Sequence, residues 1–411
     1  MHVKNSIDPP LLAAWLFTAL NLLNLLVWIA GLHISVGFYA FALVTALVYG
    51  LWQLKAHLLI ACAVLIIFTL ITLNDPLTGW DARSIWFFHA KRIFLGHSLY
   101  APLDGYASWT HNDYPILVPS LAASIAATVG YWNEVLPKEA EVLALAPALF
   151  FGAHFFRSVG NFCVWLSLII LVCWGEILGG YMDSLIAVYF SLAVVIMAEL
   201  YKQREENTEA IGSNGSKKWG LILAICLLNL MLLKNEGLAL SAIVFVCLLP
   251  LLFKDLRLLA VCLLPFIVFA AVWKLPVLRA DVSTDLLQQN GLLQRALHRL
   301  STPSDLSLIL ESFKTFSLWY GVALLCLTLF ATVKRRQLAY LMPSIAAILA
   351  YMVVLFSVYI TTYHELVWHL STSANRVVLA VNLAIGTLVL YALSDILNSA
   401  RQSPYWGTPD R

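Results

Sequence analysis

Charge is what this sequence has least of. Asp, Glu, Lys and Arg make up only 12% of its 411 residues, against about 25% in an ordinary water-soluble domain. That shortage excludes a solvated globular fold and calls for lipid around the chain. The net charge of +2 is too small to attract nucleic acid or a strongly acidic partner, so no nucleic acid is expected. The cysteines (Cys62, Cys163, Cys173, Cys226, Cys247, Cys262 and Cys326) all stand inside apolar runs. None occupies a polar loop, which excludes a disulfide framework and any metal-type cysteine spacing. Tandem repeats and low-complexity tracts are lacking as well.

What is abundant is apolar sequence: 61% of the residues are hydrophobic and the mean hydropathy is +0.84. A spanning helix takes about 20 apolar residues. Segments of that kind lie near 11–31, 36–54, 57–74, 139–156, 160–178, 183–201, 218–234, 237–253, 256–275, 311–332, 338–360 and 376–397. The expected fold class is therefore an all-α polytopic membrane protein with about twelve transmembrane helices. A single transmembrane domain fills 1–397, and 398–411 is read as a cytoplasmic tail. Lys4 precedes the stretch Leu11–Gly31, which is longer than the roughly 7–15-residue core of a cleavable signal. It reads as an uncleaved first span.

The segment 115–131 is also apolar, and orientation decides its role. With the N-terminus inside and 115–131 not crossing, Lys55, Arg157, Lys202, Arg204, Lys217, Lys218, Lys254, Arg257, the Lys334-Arg335-Arg336 run and Arg401 all face inward. That obeys the positive-inside bias of short loops, whereas a crossing would send Lys217, Lys218 and the basic run outward. The segment 115–131 thus reads as an interfacial helix. Two outer loops follow, 75–131 and 276–310, and 201–217 reads as a solvated inner connector.

Polar residues collect at the outer loops. In the first, Trp86, Ala90, Ile93 and Phe94 recur at helical spacing, as in a helix lying on lipid. Asp81 stands near the start of that helix, where it caps the helix, points into a cavity, or does both. His111-Asn112-Asp113-Tyr114-Pro115 opens the next helix. Asp113 reads as a cap with Pro115 in the first turn, and the role of His111 stays open. Asp183 follows Gly179-Gly180-Tyr181-Met182. Paired glycines beside a carboxylate fit a close approach by a helix or a substrate, and an ordinary N-cap is the alternative. Lys234-Asn235-Glu236-Gly237 interrupts two apolar runs. It is either a turn with a salt bridge or a functional pair, and the cost of charge at membrane depth favours function. His364, Glu365 and His369 match no closed metal site. No metal ligand is assigned and no cofactor is expected, a divalent metal being left open. Arg376 begins the last span with no acid near it in sequence, so it either snorkels to the interface or binds phosphate through its planar fork.

Taken in order, Gly79-Trp80-Asp81-Ala82, His111 to Pro115, Tyr181-Met182-Asp183, Lys234 to Gly237 and Arg376 cover 75–380. The pattern resembles the GT-C superfamily of membrane glycosyltransferases, which includes protein O-mannosyltransferases and the aminoarabinose transferases that modify lipid A. One departure is Ala82, where many relatives carry a second acid. The resemblance implies a bacterial inner-membrane enzyme with a GT-C-like fold and an active site facing the periplasm. It implies a polyprenyl-phosphate-linked sugar donor and a lipid, glycan or protein acceptor, with membrane lipids around both. Asp81 would be the base that takes the acceptor's proton. Arg376, with Lys91 and Arg83 behind it, would stabilise the departing phosphate. Asp183 and Glu236 would hold hydroxyls, and Trp80, Trp109 and Trp368 would pack on sugar or lipid. His111, Asp113, Lys234, His364, Glu365 and His369 complete the expected substrate-binding set. The rival expectation is a transporter or flippase of a lipid-linked or small polar solute, which shares the intramembrane charges. Clustering of polar residues on one face, and no matched pair of broken helices, favour the enzyme. Another polyprenol-dependent enzyme and a non-catalytic assembly subunit follow behind.

Overall fold

The computed structural model describes residues 8–177, 179–206, 214–282, 291–315, 318–331 and 335–401. Among them Lys4, Lys334, the connector residues 207–213 and most of the tail are not included. The described residues form helices and no strand. That is what an apolar chain requires, because backbone amides in hydrocarbon find partners only within a helix or a closed barrel.

The helices are α1 (Pro9–Ile29), α2 (Val36–Trp52), α3 (Ala56–Thr72), α4 (Phe87–Gly96), α5 (Leu117–Val129) and α6 (Glu139–Phe155). Next come α7 (Val159–Ile177), α8 (Asp183–Glu206), α9 (Asn214–Leu233), α10 (Asn235–Leu252), α11 (Leu256–Phe269) and α12 (Leu275–Arg279). The remainder are α13 (Leu292–Ser301), α14 (Pro303–Thr315), α15 (Leu318–Ala331), α16 (Arg335–Thr361), α17 (Leu366–Val377) and α18 (Leu379–Arg401). The segments expected to span are helical over most of their described residues, but 311–332 falls on two helices, α14 and α15, and 376–397 is divided between α17 and α18. Among the described residues 7 helices are long and apolar enough to cross a membrane, which makes the chain a polytopic helical membrane protein. Their outward faces are apolar, as at Leu26, Leu171 and Ile267.

α8 is the central pillar. Of its apolar window 89% is buried, against 28% for the stretch through α11 and α12. It packs on α6, α7, α9, α10, α16 and α18. Charge gathers at both of its ends. At the C-terminal end Lys202 pairs with Asp395, Tyr340 donates to the same carboxylate at 2.6 Å and Tyr391 donates to Glu199 at 2.7 Å. Asp183 opens the other end. Buried polar groups are therefore not confined to one end of the bundle, as the sequence led us to expect.

Three further expectations are corrected. Trp86, Ala90 and Ile93 are buried, and the α4 face they form packs on α5 rather than on lipid. α5 itself is packed in protein rather than laid against lipid. Its residues from Leu117 to Ala126 are all buried. Trp28 of α1 donates to Ser124 at 2.7 Å, and Ser124 donates in turn to Asn24 at 2.7 Å. With 13 residues, α5 is shorter than the roughly 17 a span requires. Finally, the described residues of the expected outer loop 276–310 are largely helical. In α13, Arg299 donates to the Tyr359 carbonyl at 2.5 Å and to the His364 carbonyl at 3.2 Å, closing the C-terminal end of α16.

Candidate active site

The site is built around the link between α7 and α8. Gly180 takes a left-handed backbone conformation (φ +85°), and a Cβ there would stand 2.4 Å from the Cβ of Ala82. A Cβ on Gly79 would stand 2.9 Å from the Tyr181 ring. Glycine at both positions lets the Gly79-Trp80-Asp81-Ala82 segment interlock with Gly179-Gly180-Tyr181. Two motifs far apart in sequence thereby present Asp81 and Asp183 to one space.

Asp81 does not cap its helix: its side chain accepts no bond from the π-helical turn Ala82–Trp86 that follows. Instead Arg376 Nη1 donates to Asp81 Oδ2 at 2.5 Å. Arg376 lies in the last turn of α17 rather than opening α18. Its Nε and Nη2 donate to the Thr372 carbonyl at 3.2 and 3.0 Å. The Tyr181 ring stands 4.6 Å from its Cζ, within cation–π range. The guanidinium is thus fixed on three sides, with Nη1 3.9 Å from Asp183 Oδ2.

Lys234 is the second cation. Its backbone is extended (φ −160°, ψ 157°), and it alone separates α9 from α10. The corner is tight: a Cβ on Gly237 would fall 1.8 Å from the Leu230 carbonyl oxygen, while Gly237 N donates to the Lys234 carbonyl at 2.9 Å. Lys234 Nζ donates to Asp183 Oδ1 at 3.0 Å and pairs with Glu236 Oε1 at 2.9 Å. The corner is a turn with a salt bridge, as one reading of the sequence expected, and that salt bridge extends into the cluster through Asp183.

Asp113 joins from below, and not as a helix cap. Ile116 occupies the N-cap of α5, so Pro115 falls outside its first turn. The Asp113 carboxylate accepts from Asn235 Nδ2 at 2.8 Å, and its carbonyl accepts from Trp273 Nε1 at 3.0 Å. His111 stacks on Tyr114 at 4.8 Å. The segment is braced from α4 by His89, whose Nε2 lies 3.2 Å from Asn112 Oδ1. Burial pushes the His89 pKa down to about 3, so this imidazole is neutral at physiological pH.

The structure therefore brings together Asp81, Asp183, Lys234, Glu236 and Arg376, with Asp113 attached through Asn235. It does not bring in Arg83 or Lys91, which are exposed on the π-helical turn and on α4. Glu365 is a cap for α17, accepting from Val367 N at 3.0 Å and Trp368 N at 2.6 Å. His364 and His369 form an aromatic group with Trp368 and Tyr359. Among the described residues no group of three or more His, Cys, Asp or Glu is placed to hold a metal ion. Trp80, Trp109 and Trp368 are exposed.

Sequence reasoning missed Glu176, in the last turn of α7. Its Oε2 atom is buried without a hydrogen-bond partner among the described residues. Its carboxyl group feels the charges of Asp183, Arg376, Asp81 and Lys234. The signal was present, a single acid closing an otherwise apolar span. Glu141 of α6 is buried as well, within electrostatic reach of Lys138 and Glu176.

No family model matches the chain, and neither a curated protein nor a solved structure matches it.

Proposed function

We propose that this chain is a GT-C-type membrane glycosyltransferase of a bacterial inner membrane, with about twelve spans and its site facing the periplasm. It moves a sugar from a polyprenyl-phosphate donor to a hydroxyl on a lipid, glycan or protein acceptor. The observation that carries the reading is the contact of Arg376 with Asp81 at 2.5 Å, which joins a planar cationic fork suited to phosphate to a carboxylate inside one half-buried cluster. In the reaction the acceptor oxygen forms a bond to the anomeric carbon as the bond from that carbon to the phosphate oxygen breaks. The electron pair leaves with the phosphate, and Arg376 stabilises that growing charge in a water-poor setting. As Nη1 turns to the phosphate, Asp81 is released to take the proton of the acceptor hydroxyl. Asp183, Lys234 and Glu236 hold sugar hydroxyls.

The experiment is sugar transfer from a radiolabelled polyprenyl-phosphate donor in membranes, comparing wild type with Asp81→Asn at matched expression. Transfer by wild type alone supports the assignment. Equal transfer by both removes Asp81 as the base, and no transfer across a broad donor panel turns the inquiry to transport.

A further inference from the structure

The cluster contains more negative charge than its own cations neutralise. Arg376 is engaged by Asp81 and Asp183, and Lys234 by Asp183 and Glu236. Among the described residues neither cation forms an ion pair with Glu176, although both act on it at longer range. That residue also occupies the unfavourable end of its helix, because the carbonyl end of α7 repels a carboxylate. A buried carboxyl oxygen that accepts no hydrogen bond is destabilising, and native structures keep few of them. Neither local structure nor ion pairing therefore accounts for an acid here, while its surroundings are those of a ligand site.

We propose that Glu176 is a specificity-determining residue of this site, its Oε2 accepting a hydrogen bond from a hydroxyl of the donor's sugar. The inference rests on the glycosyltransferase reading above and adds the residue that tells a sugar-bearing lipid phosphate from a bare one. The position suits that task. Arg376, the proposed phosphate ligand, and Asp183, at the mouth of α8, are the groups whose charges reach Glu176 most strongly. A sugar attached to a phosphate on Arg376 has its hydroxyls within this cluster. An aliphatic or water-filled position would not discriminate in this way, because rejecting a ligand that lacks a hydroxyl requires a buried group left unpaired without it.

The test is equilibrium binding to the full chain in nanodiscs. The probes are undecaprenyl phosphate and the same lipid phosphate carrying glucose, galactose or mannose. Wild type is expected to bind one sugar-bearing lipid more tightly than the bare one. Glu176→Ala is expected to weaken that binding about ten-fold while leaving bare undecaprenyl phosphate unchanged, and Glu176→Gln, which keeps an acceptor oxygen, is expected to fall between. Gly175→Ala is the control for the end of α7, since its added methyl meets nothing within 4 Å. Equal binding by Glu176→Ala and wild type overturns the proposal, as does an equal loss for all probes. Wild type that binds bare lipid phosphate but gains nothing from any sugar overturns it too, leaving the parent reading standing. Wild type that binds no lipid phosphate removes the parent reading itself.

Discussion

A methyl group added at Gly180 would stand 2.4 Å from the Cβ of Ala82. This contact sets how deeply the first polar loop sinks against the start of α8. Gly180→Ala both collides there and forces an L-residue into left-handed backbone, at about 1–2 kcal/mol for the conformation alone and about 1–3 kcal/mol more for the overpacking. The expected result is a lower melting temperature in detergent together with loss of sugar transfer. A variant that melts like wild type would show that the loop and α8 are not interlocked.

The Lys234–Asp183 pair is buried, with side-chain exposures of 11% and 7%. Removing one partner leaves the other charge uncompensated, which costs about 3–5 kcal/mol. Asp183→Asn and Lys234→Met are each expected to destabilise by that order. The double variant should lose clearly less than the sum of the two. Unfolding titrations of all four proteins give the coupling, and strict additivity would mean the pair does not interact.

Arg376→Lys keeps the charge but loses the planar fork and its seat on Tyr181. Sugar transfer is expected to fall by about two orders of magnitude, as when a preorganised donor to a developing anion is removed. Stability should change far less than in Arg376→Met. Initial rates and melting curves on the same preparations separate the two effects.

His89 gives an acid sensitivity with a definite sign. Its folded pKa of about 3 lies below the ordinary histidine value of about 6.5. Its neutral form is therefore favoured by folding. The associated stability is complete above about pH 6.5 and declines as pH falls towards 3, by roughly 1.4 kcal/mol per unit. Melting temperature against pH should show this limb in wild type and a flatter one in His89→Gln.

Glu365→Ala removes the cap of α17 and is expected to cost about 1 kcal/mol, while Glu365→Asp, which keeps a capping carboxylate, should recover most of it. Melting curves decide between this and a metal-ligand role, for which added divalent ions would stabilise wild type but neither variant.

The long apolar helices were legible because each rests on an apolar run, a property of one stretch of chain, whereas α13, with Arg295, His298 and Arg299 in ten residues, was not. What covers each helix was not legible either. Trp86, Ala90 and Ile93 plainly share a face, but lipid and α5 are equally apolar, and the pattern does not separate them. The same holds for 115–131, whose sequence shows that it is apolar and short but not that protein surrounds it. In the site, Asp81, Asp183, Lys234, Glu236 and Arg376 stood out as charges beside apolar runs. Apart from the Lys234–Glu236 salt bridge, their pairing did not, since 295 residues separate Asp81 from Arg376 and no local rule links them. Glu176 escaped because one acid barely changes the hydropathy of a span. Glu365 was expected to bind substrate, although its partners are backbone amides two and three residues ahead.

Lys234 is the whole connection between α9 and α10. A joint of one residue has no slack. Its ammonium swings on a flexible four-carbon stem, but its Cα is held by two helices at once. Any change in the angle between α9 and α10 must therefore pass through the backbone of this one residue, which is also the anchor of the ion pair to Asp183.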